Sequence, residues 1–252
     1  MFNLTTENWF IDDIKTVIFD KDGTFIDLHF FWGKMTELRA LEVINFYRAT
    51  NVSVSKLCGY LGYDLNKGKM LPDGITALYS RSKIIEIFQT KLEKEGIKAS
   101  IRDLEMIFDN VSQNFYKNIH EYTKPIDEAI ELIKILHSKG LKLGIVTADS
   151  IDSTKLTLAH FGWEKYFNIV IGRESSRSTK ESGIPTIMAL EKLNAHPKTT
   201  IMIGDSPTDM ISAKNAGIER TILVATGQVP LEELRKHSPY VVETLKDITI
   251  KD

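Results

Sequence analysis

Apolar and polar positions follow two different periods along this chain, and the period changes partway. From Lys124 onward, short apolar runs alternate with stretches in which apolar residues recur every three or four positions. The runs read as buried strands and the stretches as amphipathic helices, so their alternation predicts a parallel sheet with helices on both faces. In order, the pattern predicts a helix over 126–139, with Ile130, Ile133, Leu136 and His137 on one face and Gly140 ending it, and then a strand over 141–147. A helix over 153–161 stopped by Gly162, a strand over 167–171, a helix over 185–194 and a strand over 200–203 follow. The last pair is a helix over 209–216 stopped by Gly217 and a strand over 221–225. Val17-Ile18-Phe19 adds a fifth strand for the same sheet.

Residues 28–123 carry the helical period almost alone. Met35, Leu38, Leu41 and Ile44 step along one face; Ile84, Ile87, Phe88 and Leu92 define a second; Ile101, Leu104, Ile107, Phe108, Val111 and Phe115 define a third. A shorter helix is predicted over 54–61. The expected fold class is α/β: a doubly wound parallel sheet formed by 1–27 and 124–252, with an α-helical bundle inserted as a cap over 28–123. Linkers are expected near 26–32 and 122–126, the second marked by Pro125. The stretch 174–179, rich in serine, is predicted to be a mobile loop.

Composition narrows the function classes. A chain of 252 residues can bury roughly three-quarters of its unfolded surface, so a sizeable core is available. Its 32 basic and 34 acidic residues leave a net charge of −2, which gives no general attraction to nucleic acid or to an anionic membrane, and neither is an expected partner. No apolar run reaches membrane-spanning length and the first residues lack a secretory pattern, which leads to the expectation of a cytoplasmic protein. The single cysteine, Cys58, excludes an intramolecular disulfide and a cysteine-rich zinc site, and is expected as a small, half-buried helix residue.

Four segments carry candidate chemistry. In Val17-Ile18-Phe19-Asp20-Lys21-Asp22-Gly23-Thr24, two carboxylates lie one residue apart at the end of an apolar strand, and Gly23 lets the chain turn sharply. Residues i and i+2 of an extended segment share a face, so Asp20 and Asp22 can address one substrate atom. The bland reading is an Asp-Gly turn between strands. Three further strand ends would project to the same sheet edge. Thr147 and Ala148 offer a hydroxyl and an N–H for a phosphate oxygen. Gly204-Asp205-Ser206-Pro207-Thr208-Asp209 places two more carboxylates four residues apart, oxygen ligands of the kind Mg²⁺ takes, with Asp209 also suited to a helix N-terminus. Lys180, just before the Pro185 helix, would offset the accumulated negative charge.

Together these segments resemble the haloacid dehalogenase superfamily of aspartate-nucleophile phosphohydrolases, especially the phosphoglycolate-phosphatase-like branch with a helical cap and a Rossmann-like core. Asp20-Lys21-Asp22-Gly23-Thr24 is similar to the first motif, Thr147 to the second, Lys180 to the third and Gly204 to Asp209 to the fourth; Thr226-Gly227 also fits that branch. Glu181 departs from the pattern, since proline often follows the third-motif lysine, and Lys155 is the alternative cation. The resemblance implies that Asp20 is the nucleophile, Asp22 the general acid and base, and that Thr147, Lys180, Asp20, Gly23 and Ala148 hold the transferred phosphoryl group. It also implies a Mg²⁺ cofactor on Asp20, the Asp22 backbone carbonyl and Asp205, with Asp209 behind them or orienting Lys180. The implied partner is a small phosphorylated metabolite.

Other outcomes stay open on the same residues. A sugar-phosphate mutase would use the same aspartates and return the phosphoryl group to its substrate. A phosphoacceptor signalling domain shares the nucleophile, metal, threonine and lysine but would be about half this length and needs no Asp22. A haloacid dehalogenase proper would not need the second aspartate. In the cap, the run His29-Phe30-Phe31-Trp32 is read either as a substrate contact or as packing between cap and core.

Overall fold

The computed structural model describes residues 2–251, and the chain divides into two compact units, Met1–Asp27 with Lys124–Asp252, and Leu28–Thr123. The first unit opens with strands β1 (Phe2–Thr5), β2 (Phe10–Ile14) and β3 (Thr16–Phe19). The second contains helices α1 (Leu28–Tyr47) and α2 (Val54–Leu61), a short hairpin of β4 (Tyr63–Asp64) and β5 (Lys69–Met70), and helices α3 (Ile75–Leu78), α4 (Arg81–Lys94), α5 (Ile101–Lys117) and α6 (Ile119–Tyr122). The chain then returns to the first unit through α7 (Asp127–Ser138), β6 (Lys142–Val146), α8 (Ile151–Phe161), β7 (Ile169–Ile171), α9 (Ile184–Leu193) and β8 (Thr200–Gly204). It ends with α10 (Pro207–Asn215), β9 (Thr221–Val224), α11 (Leu231–Leu234), β10 (Val241–Val242) and β11 (Thr249–Lys251).

Six strands form one parallel sheet in the order β10-β9-β8-β3-β6-β7. All four residues of β3 are buried, as a strand covered on both faces requires. Ile18 sits in a core cluster with Val146, Ile171, Met202, Leu190 and Ala213. In sequence the sheet grows from β3 through β6 to β7, then restarts on the other side with β8. That reversal is a topological switch point, where open α/β sheets leave a crevice at the strands' C-terminal ends. Phe19 pairs with Ile145 on one side and Ile203 on the other, so the loops after β3, β6 and β8 emerge side by side.

Local signals explain the helix ends. Ser150 starts α8 by accepting the Ser153 N–H at 3.1 Å, and Gly162 ends it in the left-handed region at φ 67°. Ser100 caps α5 in the same manner through the Asp103 N–H. Cys58 is fully buried on α2 rather than half-buried, and burial pushes its thiol up to about 12.

The structure departs from the pattern reading in specific places. A separate antiparallel sheet, ordered β11-β1-β2, was not expected; a register shift between Phe2 and Leu4 and the acidic pair Asp12-Asp13 blur the alternation there. The two-residue strand β10 extends the main sheet by one. On α1 the buried face includes Phe31, Met35, Arg39, Ala40 and Val43, whereas Leu41 is exposed. Arg39 explains the error: its guanidinium lies 4.4 Å over the Phe108 ring and reaches Ser112 at 3.4 Å, so a charged residue belongs to the inner face. No linker extends to residue 32, because α1 starts at Leu28. Phe31 packs inside the helical unit, edge-on to Phe115 at 5.0 Å, and His29 Nδ1 accepts the Met70 N–H at 3.1 Å. The 174–179 stretch begins in a folded turn, where Glu174 accepts the Ile151 N–H at 3.1 Å. Among the described residues, no helix is long and apolar enough to cross a membrane.

Replacing Ile18 by Ala should destabilise the sheet unit by about 2–5 kcal/mol, read as a lowered urea midpoint at unchanged slope; a loss below about 1 kcal/mol would remove β3 from the centre of the core.

Candidate active site

The loop after β3 is held on both sides. The Asp20 N–H donates to the Ile203 carbonyl at 2.9 Å, which fixes the buried Asp20 against β8. The Lys21 carbonyl then accepts the N–H groups of Thr24, Phe25 and Ile26, closing a tight turn. Gly23 sits in that turn at φ 86°, and a Cβ there would lie 2.4 Å from Asp205 Oδ2. Glycine is required twice over, for the backbone and for the neighbouring carboxylate.

The loop after β8 brings the other carboxylates. Asp209, fully buried near the start of α10, accepts both the Ser206 N–H and the Ser206 hydroxyl at 3.0 Å through Oδ2. A Cβ on Gly204 would come 2.1 Å from Asp209 Cγ, and one on Gly227 would come 1.7 Å from Asp205 Oδ2. Thr226, just before Gly227, donates its hydroxyl to the Gly23 carbonyl at 2.6 Å and ties this last loop to the first.

Lys180 reaches the same place from a turn before α9. Its ammonium lies 2.6 Å from Asp20 Oδ1 and 2.6 Å from Asp209 Oδ1, with the side chain nearly out of solvent. Glu181 does not disturb the turn, because Asn215 donates to its carbonyl at 2.7 Å. Lys155, the alternative cation, is exposed on α8. Thr147 is buried directly after β6; its Oγ1 accepts the Asp149 N–H at 3.1 Å, and Ala148 beside it is exposed.

Two residues of this cluster were overlooked in the sequence. Lys21 is wholly buried, with its ammonium 2.8 Å from Asp22 Oδ1 and 2.7 Å from Asp149 Oδ2. The signal was present: a lysine between two aspartates at the end of a buried strand must find a counter-charge, and Asp149 follows Thr147 by two residues. Asp20, Gly23, Lys180, Asp205 and Asp209 thus come together in one cluster. Asp22 and Thr147 join through the Lys21–Asp149 link.

The electrostatics follow from burial. Burial raises the Asp20 carboxyl, Lys180 pulls it down, and Asp209 and Asp22 raise it again, leaving it at about 7. Burial also lifts Asp205 well above the usual carboxylate range, with Asp209 and Asp20 adding to the rise. Burial alone would lower Lys180, but Asp20 and Asp209 reverse that and hold it charged. Lys21 is raised by Asp22 and Asp149 against the same burial cost, and Asp149 is lowered because Lys21 outweighs its own burial. Asp20, Asp205 and Asp209 each present an oxygen within 4.8 Å of the others. An all-oxygen set in a glycine-lined recess suits a hard divalent cation.

Residues 14–217 match the model of the haloacid dehalogenase-like hydrolase family. A protein of Caldanaerobacter subterraneus subsp. tengcongensis, provisionally named pyrophosphatase PpaX, is 32% identical over 234 residues, spanning 92% of this chain and 91% of its own. The phosphoglycolate phosphatase of Aquifex aeolicus is 25% identical over 222 residues, covering 86% of this chain and 88% of its own. A Thermotoga maritima crystal structure provisionally named beta-phosphoglucomutase shares the fold, with a TM-score of 0.70 at 21% identity over 93% of this chain and 96% of its own. The chain belongs to the haloacid dehalogenase-like hydrolase family.

Proposed function

We propose that this protein is a Mg²⁺-dependent phosphatase that hydrolyses a small phosphate monoester through an aspartyl-phosphate on Asp20. The observation that carries the reading is Asp20 itself: a buried carboxylate at the switch point of a parallel sheet, 2.6 Å from the Lys180 ammonium and within reach of two further carboxylates. Relatives named phosphoglycolate phosphatase and pyrophosphatase support a small anionic substrate, and phosphoglycolate-like esters are the first to test. The helical unit 28–123 is assigned the part of a cap that selects among them.

In the first step an Asp20 oxygen attacks phosphorus as the ester P–O bond breaks, and the leaving oxygen takes a proton from Asp22. In the second, water attacks the phosphorus of the aspartyl-phosphate, its proton passes to Asp22, and Asp20 and inorganic phosphate are released. Lys180, the Thr147 hydroxyl and the Ala148 N–H hold the phosphoryl oxygens while charge builds on them. Asp209 keeps the Lys180 ammonium aimed at Asp20. Asp20, Asp205 and the Asp22 carbonyl would hold Mg²⁺, with Asp209 behind them; when bound, the ion neutralises phosphoryl charge and aligns the group for in-line transfer.

A phosphate-release screen over small phosphorylated acids, sugars and nucleotides, with and without Mg²⁺, tests the reading; isomerisation of a phosphosugar without phosphate release would make the protein a mutase instead. Asp20→Asn should abolish turnover with the fold intact, and near wild-type turnover would remove Asp20 as nucleophile. Asp22→Asn should slow phosphoryl transfer by ~100-fold or more, measured as single-turnover rate. The raised Asp20 group implies a further pH effect. Below about pH 7 the metal-free site holds a proton that Mg²⁺ must displace, so affinity should fall as pH drops through that value and level off above it. Calorimetric titrations between about pH 5.5 and pH 8.5 check this, and a flat profile would take Asp20 out of the ligand set.

A further inference from the structure

Lys21 has no place in the chemistry so far, yet it is a wholly buried charge beside it. Its ammonium touches Asp22 Oδ1 at 2.8 Å and Asp149 Oδ2 at 2.7 Å, and neither Lys21 nor the Asp149 side chain retains any exposure. Burying such a pair does not explain itself by stability, because well-packed apolar residues of similar volume serve a core as well or better. What an apolar residue cannot do is grip a carboxylate oxygen. Asp149, in turn, is fixed at three further atoms. Its Oδ1 accepts the Ser150 N–H at 2.7 Å, its N–H donates to Thr147 Oγ1 at 3.1 Å, and its carbonyl accepts the Arg173 N–H at 3.0 Å. The chain of contacts runs from the loop after β6, through Lys21, to Asp22.

Resting on the proposed acid–base part of Asp22, we infer that Lys21 and Asp149 are a positioning pair. They clamp Asp22 Oδ1, so that Oδ2 is the oxygen that exchanges the proton with the leaving group. The same pair ties that oxygen's position to Thr147, so the acid and one phosphoryl-binding group are set by a single buried linkage rather than by two independent loops.

The test reads leaving-group dependence. p-Nitrophenyl phosphate releases a stable anion and needs little acid assistance, whereas benzyl phosphate releases an alkoxide that needs a proton. kcat/KM would be measured for both esters with Mg²⁺ in wild type, Asp22→Asn, Lys21→Met and the double variant Lys21→Met/Asp149→Asn. The double variant removes both buried charges together and guards against misfolding of the single one, with circular dichroism confirming the fold. A misplaced acid should cost Lys21→Met and the double variant about 10-fold or more on benzyl phosphate beyond any loss on p-nitrophenyl phosphate, the selectivity also expected of Asp22→Asn. Equal losses on the two esters, or none, in the folded variants would overturn the inference and leave the pair a packing device. If wild type releases phosphate from neither ester, or Asp22→Asn lacks the selectivity, it is the phosphatase reading or the part given to Asp22 that fails.

Discussion

Carboxylates of like charge repel, and past the ends of β3 and β8 three of them are buried with donor oxygens no more than 4.8 Å apart. At an effective dielectric constant of about 20, each fully ionised pair at that spacing costs roughly 3 kcal/mol, so three pairs approach the whole net stability of a domain. The fold can keep the arrangement only by bringing a cation or by retaining protons. It does the first with Lys180, which sits against both Asp20 and Asp209. It does the second in the upward displacement of Asp20 and Asp205. Hydrogen bonds from Ser206 fix the far oxygen of Asp209, so its near oxygen faces the lysine.

Concentrating carboxylates demands space, and the backbone supplies it by omitting side chains. Gly23 and Gly227 come from two different loops and Gly204 ends β8, yet each lies where a methyl group would strike Asp205 or Asp209. The Thr226 hydroxyl on the Gly23 carbonyl then locks the two loops together. The recess is therefore set by main-chain atoms anchored to a parallel sheet, which move less than side chains would.

Much of this is legible in the sequence. The sheet was readable because its strands are buried on both faces and so are written as unbroken apolar runs, and the glycines at 140, 162 and 217 mark helix ends plainly. Asp20 and Asp205 stood out as acidic residues at the ends of apolar strands, and Asp209 because it follows Asp205 by four residues. Three things were hidden for physical reasons. The antiparallel sheet pairs β1 with a strand near residue 250, and no local pattern reports so distant a partner. The inner face of α1 includes Arg39, whose charge disguises its burial over Phe108. The Lys21–Asp149 contact joins residues 128 positions apart, and only the improbability of a lone buried lysine pointed toward it.

The two places where the chain passes between its compact units are bonded to each other. Ile26 bridges Pro125, the Asp27 N–H donates to the Lys124 carbonyl at 2.8 Å, and the Ile126 N–H donates to the Phe25 carbonyl at 3.0 Å, all within the sheet unit. In topological terms the 96 residues from Leu28 to Thr123 are a hairpin loop grown into a bundle of its own. The stem closes on hydrogen bonds within the sheet unit, so neither it nor the register of β3 is built from residues inside the loop. The fold thus separates two sets of constraints: the segment 28–123 is closed off by a stem of main-chain bonds, while the residues around Asp20 are held in place by the sheet.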